Sequence, residues 1–184
     1  MTIYSSILGV IWAIFILVWV IGMFFAKRTA RRSWMGIWWR LAIIMSVIAL
    51  VHFLHGSSYL SGAVHSPALN SIGLMLAALG VALAIWARFY LGSNWGMPLT
   101  VKENAELVTS GPYAHIRHPI YSGILLALLG SSLVIWWWAV IFIWSFIYFI
   151  AFATHGEEAL MCQEFPDTYP TYKARTKRLI PWVY

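Results

Sequence analysis

Apolar residues fall in four long blocks along the 184-residue chain, at roughly 3–25, 36–55, 68–91 and 119–154, with the polar residues gathered between and after them. Crossing a bilayer core of about 30 Å takes about 20 helical residues. The first three blocks have about that length. As one helix the fourth would measure about 50 Å, so it reads as a helical hairpin turning near Gly130-Ser131-Ser132. The pattern predicts an all-α integral membrane protein of about five transmembrane helices, the last two forming the hairpin. The chain forms one membrane domain, 1–184, with an N-terminal helical pair and outer loop over 1–67 and a core over 68–184. The first apolar run, Ile3 to Ala26, lacks a basic leading segment and is long enough to span, so it reads as a span and not a cleavable signal.

Charge placement agrees with five spans. The loops at 26–35 and 92–118 then share a side with the C-terminal tail, and all twelve Lys and Arg fall on or next to that side. The six acids, Glu103, Glu106, Glu157, Glu158, Glu164 and Asp167, fall there too, whereas loops 56–67 and 130–133 carry no charged residue. An excess of Lys and Arg marks the cytoplasmic side, which puts the N-terminus outside. The hairpin also brings Glu157-Glu158 to the membrane face that carries Arg117.

Composition strengthens the membrane reading: 61% of residues are hydrophobic and only 10% charged, against about 25% in soluble domains. The net charge of +6 flanks apolar spans and forms no stripe, which argues against a nucleic-acid partner. Cys162 stands alone, excluding an internal disulfide and a cysteine metal cluster, and reads as a small buried filler. Tryptophans such as Trp34, Trp38, Trp39 and Trp95 near span ends suit interfacial anchoring.

The densest chemistry lies in Gly111-Pro112-Tyr113-Ala114-His115-Ile116-Arg117-His118-Pro119-Ile120-Tyr121. Two prolines interrupt helix on either side and bias Gly111 and His118 toward extended geometry. Arg117 offers a donor fork for a carboxylate or phosphate, and His118 titrates near neutral pH. Such a cluster beside a span reads either as a ligand site or as an interfacial turn on lipid phosphates. Glu157-Glu158 reads either as a pair that binds a cationic or hydroxylated ligand or positions Arg117, or as a solvated helix end. Arg88 reads as a snorkelling side chain at a span end. His52 and His55 share a helical face, which permits haem or metal ligation but equally helix packing. The basic tail, with Lys173, Arg175, Lys177 and Arg178, suits anionic lipid. No dinucleotide fingerprint, P-loop, zincin or serine-hydrolase motif occurs.

Taken in order, four segments resemble the isoprenylcysteine carboxyl methyltransferase family and its relatives, the phospholipid methyltransferases. Arg88-x-x-Leu91-Gly92-x-x-Trp95 resembles that family's R-x-x-L-G-x-x-W. Glu106 to Tyr113, followed by Arg117-His118-Pro119-x-Tyr121, resembles its G-P-Y-x-x-x-R-H-P-x-Y core. Glu157-Glu158 with Phe165, Tyr169 and Tyr172 resembles its E-E segment, although Pro166 stands where the family has Gly. Leu179-Ile180-Pro181 resembles its closing hydrophobic-Pro. The likeness covers roughly 72–182. It implies an S-adenosylmethionine-dependent methyltransferase, with a cofactor pocket formed at the cytoplasmic face by the loop and the C-terminal segment. A lipophilic acceptor would enter from the bilayer. Leu107, Val108, Tyr113, His118, Pro119, Tyr121 and Glu157 would bind the cofactor, and Arg117 and Glu158 would be catalytic. Isoprenylcysteine-type carboxylate is the acceptor the likeness implies. Phospholipid amines and thiols are alternatives, and a non-enzymatic lipid- or haem-binding membrane protein is the reading from another class.

Overall fold

The computed structural model describes residues 2–32, 66–96, 99–150 and 154–183. Helix α1 spans Ile3–Phe24. Thr2 caps it, its Oγ1 accepting from the Ser5 N–H and satisfying a first-turn donor that has no partner within the helix. Most of its apolar surface is open, including Ile3, Val10, Leu17 and Phe24, which hydrocarbon tolerates and water does not. Helix α2 spans Pro67–Leu91, with Pro67 in the first turn, where its missing N–H costs nothing. Among the described residues, two helices are long and apolar enough to cross a membrane, α1 and the stretch Pro67–Asn94. Helices α3, Pro119–Val134, and α4, Trp138–Tyr148, are shorter and apolar. Helices α5, Thr154–Glu164, and α6, Tyr169–Arg175, are polar. The protein is mostly helical, with one antiparallel pair between β1, Thr29–Arg32, and β2, Thr100–Lys102.

The seam between α2 and α3 holds the bundle together. Gly73 faces Gly130, and Gly80 faces Gly123 and Ala127, so the two helices run antiparallel. A Cβ on Gly80 would lie 2.4 Å from the Ala127 nitrogen, and one on Gly130 would lie 2.5 Å from the Gly73 carbonyl oxygen. Lipid removes the hydrophobic drive between helices, so close backbone approach supplies the attraction instead.

That packing moves the turn of the fourth apolar block. Gly130-Ser131-Ser132 lies inside α3, and the chain turns over 135–137. Gly130 is needed for backbone contact with α2. Ser131 is fully buried, donating to the Ala127 carbonyl at 2.7 Å and accepting from Trp12 Nε1 at 3.0 Å. Small polar residues that resemble a turn therefore serve helix packing.

Arg88 and Trp95 also depart from expectation. Arg88 is 5% exposed and does not snorkel. Its Nη1 donates to the Gly92 carbonyl at 2.7 Å, capping α2, and its Nη2 donates to the Gly22 carbonyl at 2.6 Å, hooking the end of α1. Its guanidinium lies 4.7 Å above the Trp95 ring, which is buried and not interfacial. Cys162 is half-buried on α5 instead of filling the core. The second apolar block, His52 and His55, and Trp34, Trp38 and Trp39 lie outside the described residues.

The segments that follow α1 and α2 meet at one end of the helices. Lys27 N–H donates to Ser93 O at 2.8 Å, and Lys27 Nζ reaches Asn94 Oδ1, the Asn104 carbonyl and Glu106 Oε1. Helix α3 starts at this end and α5 returns to it, so Glu157 and Glu158 stand beside Arg117 and His118.

Candidate active site

The proline-bracketed segment forms a rigid ledge. Gly111, at φ 60°, opens a 3-10 turn over Gly111–Ala114, and a side chain there would meet the Tyr90 ring at 2.4 Å. Pro119 opens α3. Between them the C-terminal segment is stitched on: Arg117 N–H donates to Lys177 O at 2.8 Å and His118 N–H to Arg178 O at 3.0 Å. Ser122 Oγ donates to the Leu179 carbonyl, and Tyr172 OH reaches the Tyr113 carbonyl at 2.8 Å. Pro166, which replaces a glycine of the pattern, is accommodated in a turn closed by Tyr169 N–H on the Phe165 carbonyl at 3.0 Å.

Behind the ledge, Glu158 is 2% exposed and surrounded by cations. Arg117 Nε and Arg178 Nε each lie 2.9 Å from its Oε1, and Lys173 Nζ lies 3.0 Å from its Oε2. Burial alone would raise its pKa. The bonds from His118, Arg178, Lys173 and Arg117 outweigh burial and hold the carboxyl well below its ordinary range. Arg117 Nη1 is occupied by the carbonyls of Lys173 and Thr176.

In front of the ledge opens a cavity of about 280 Å³. Its polar wall carries Arg117, His118, Tyr121 and Glu157. Glu157 accepts from the Tyr121 hydroxyl and lies 3.4 Å from His118 Nδ1. Burial lowers the His118 pKa, but hydrogen bonds and charge from Glu157 and Glu158 outweigh it, so the imidazole is raised above its ordinary 6.5. The ring stacks on Tyr121 at 5.4 Å, and Tyr121 stacks on Phe149 at 4.2 Å. Burial raises the Tyr113 and Tyr169 phenols far above their ordinary value, so both stay neutral. The remaining wall is largely apolar, with Leu107, Val108, Trp95 and Ile120 among its side chains.

The structure therefore brings Leu107, Val108, Tyr113, Arg117, His118, Tyr121 and Glu157 to one cavity. Pro119 and Glu158 are not on its wall: Pro119 is packed at the start of α3, and Glu158 is turned into the cation cluster. Sequence reasoning missed Trp19, Asn94, Lys102, Glu106 and Phe149 on the wall, and the pairing of Lys173 and Arg178 with Glu158. Among the described residues, no group of His, Cys, Asp and Glu is arranged to hold a metal ion. A fixed cation pair, a carboxylate and aromatic faces suit a zwitterionic organic ligand.

Long apolar helices that carry at one end a cavity lined by charged and aromatic residues mark a membrane protein with a candidate ligand site. Residues 72–163 match the isoprenylcysteine carboxyl methyltransferase (ICMT) family, half of the chain, and the protein belongs to that family. Among its relatives is the cobalt-zinc-cadmium resistance protein CzcN of Cupriavidus metallidurans, 27% identical over 145 residues, covering 78% of this chain and 62% of that protein. The protein-S-isoprenylcysteine O-methyltransferase of Schizosaccharomyces pombe is 28% identical over 109 residues, 57% of this chain and 46% of its own length. That of Mus musculus is 29% identical over 119 residues, 62% of this chain and 42% of its own length. The chain thus spans under two thirds of each of these relatives.

Proposed function

We propose that the protein is an S-adenosylmethionine-dependent membrane methyltransferase that O-methylates the carboxylate of an isoprenylcysteine-type lipophilic acceptor. The observation that carries this reading is the cavity wall itself: Arg117, His118 and Glu157 are held side by side on a cavity whose remaining lining is largely apolar. The donor's amino-acid end is a zwitterion, which such a wall complements, and its base needs an apolar or aromatic face.

When bound, the donor supplies a methyl carbon on a sulfonium; an acceptor oxygen forms the new C–O bond as the C–S bond breaks, its electrons remaining on sulfur. The protein's part is alignment and exclusion of water. Leu107, Val108, Tyr113 and Tyr121 shape the donor pocket, with Glu157 and His118 as its polar contacts. A carboxylate acceptor is already anionic and needs a cation, not a base. Arg117 provides it: Glu158 and two backbone carbonyls hold its Nε and Nη1, and the residue lines the cavity. Glu158 fixes that guanidinium without touching either ligand. Glu157 and Glu158 favour the charged form of His118, which suits a role in binding an anionic group. The spans number about five, the N-terminus lies outside, the cavity opens to the cytoplasm, and the acceptor arrives from the bilayer.

Transfer of a tritiated methyl group to a prenylcysteine analogue tests the proposal, with phosphatidylethanolamine and small thiols as competing acceptors. Ester formation on the prenylcysteine, lost in Arg117→Ala, is expected. Labelling of the lipid amine or the thiol alone would overturn the acceptor assignment. Absence of both S-adenosylhomocysteine binding and transfer would overturn the reading as a whole.

A further inference from the structure

We infer that Trp19 of α1 is the end wall of the acceptor slot and sets the length of apolar chain that fits. The inference rests on the methyltransferase reading above. Trp19 lies outside the matched segment 72–163, yet its side chain lines the cavity.

Its placement is specified at several points. Arg88 donates to the Gly22 carbonyl and so fixes α1 along and around its axis beside α2. Gly22 leaves room for this contact: a Cβ there would lie 2.7 Å from Arg88 Nη2 and would push the guanidinium aside. Phe15 stacks on the Trp19 ring at 4.1 Å, and Trp95 meets it edge-on at 6.3 Å. Trp95 is backed in turn by the Arg88 guanidinium. A ring clamped between two others makes a stop of defined position.

The position is deep. Trp19 lies five residues before the last residue of α1, Phe24, which is about 7.5 Å into the helix. On the facing wall Ile120 and Ile124 are one turn of α3 apart, so the slot continues inward past His118. The apolar side chains packed around this end include Trp19, Leu91, Trp95, Ile120 and Ile124. The charged groups of the cavity, Arg117, His118, Glu157, Lys102 and Glu106, are not part of that apolar cluster. An apolar cluster bounded by an indole suits a hydrocarbon tail.

The test compares N-acetyl-S-prenylcysteines of two, three and four isoprene units with the detergent-purified protein. Trp19→Ala is expected to raise kcat/KM for the longest chain relative to the shortest by at least about tenfold, since even one methylene in an apolar pocket is worth that much. Ile124→Trp, which narrows the same end, is expected to shift preference toward the shortest chain, so the inference remains testable if Trp19→Ala does not fold. S-adenosylhomocysteine binding serves as the control. Retained binding and transfer with an unchanged chain-length profile in both variants overturns the inference and leaves the methyltransferase reading standing. Weaker S-adenosylhomocysteine binding with an unchanged profile also overturns it, assigning Trp19 to the donor's base. A wild-type protein with neither binding nor transfer overturns the reading on which the inference rests.

Discussion

Glu157 and Glu158 are neighbours in sequence and opposites in role. Successive helical residues point about 100° apart, so one carboxylate faces the cavity while the other turns into the cation cluster. Glu157→Gln is expected to weaken S-adenosylhomocysteine binding by about 10–100-fold, roughly 1.4–2.7 kcal/mol, with unfolding unchanged. Glu158→Gln is expected to lower stability by about 3–5 kcal/mol, because Arg117, Arg178 and Lys173 would lose the charge that balances them. Calorimetric titration and thermal unfolding in detergent separate the two. Equal loss of binding with no change in unfolding for both variants would refute the division. The pair was legible in the sequence as a pair; which carboxylate faces the cavity was not, because the register of α5 is set by tertiary packing. The cations that hold Glu158 were hidden for a similar reason. Lys173 and Arg178 sit in a basic tail whose composition suits lipid, and only the backbone pairing at 177–178 turns Arg178 inward.

His118 gives the site a pH dependence whose sign follows from its partners. Its pKa is raised on folding by Glu157 and Glu158, against burial. The stability it contributes is fully present below its ordinary 6.5 and is lost as pH rises through the elevated folded value. Glu158 behaves oppositely: its folded pKa is depressed, so its contribution is present above the ordinary 4.5 and is lost as pH falls through the folded value. Thermal stability should therefore decline from neutral toward alkaline pH, and His118→Gln should flatten that limb while the acid limb, still supported by Arg178, Lys173 and Arg117, is reduced but kept. An alkaline limb unchanged in His118→Gln would assign it to another group.

At the scale of elements, the apolar blocks were readable because a bilayer forces long unbroken helices. Helices α1 and α2 fall where the first and third blocks predict. The turn of the fourth block was misread because Gly and Ser mark turns in water and close helix contacts in lipid. The α2–α3 seam makes the second meaning testable. Gly80→Val would drive a side chain into the Ala127 backbone, which cannot swing aside. It should destabilise the protein by about 1–3 kcal/mol or more, measured as a lower unfolding midpoint in detergent. Gly9→Val, where nothing among the described residues lies within 4 Å of a Cβ, should change it little.

Over the whole molecule, the site is assembled from pieces far apart in the chain: Trp19 from α1, Trp95 after α2, the ledge before α3, Glu157 on α5 and Tyr169 on α6. None of these walls encloses a cavity alone, so donor binding should depend on the segment that fastens them. That segment is the C-terminus. Removing Lys177–Tyr184 deletes both acceptors of the ledge amides of Arg117 and His118, the carbonyl that Ser122 reaches, and the Arg178 clamp on Glu158. It leaves the α2–α3 seam untouched, since no residue of that seam lies beyond 134. The truncated protein should therefore keep its helical circular dichroism and lose S-adenosylhomocysteine binding by about 100-fold or more, equivalent to about 2.7 kcal/mol. Arg178→Ala should fall between the truncation and the full chain, because it removes the charge contact and keeps the backbone pairing. Full-affinity binding after truncation would mean that the ledge holds its shape without the clamp, and that α5 and α6 alone close the cavity.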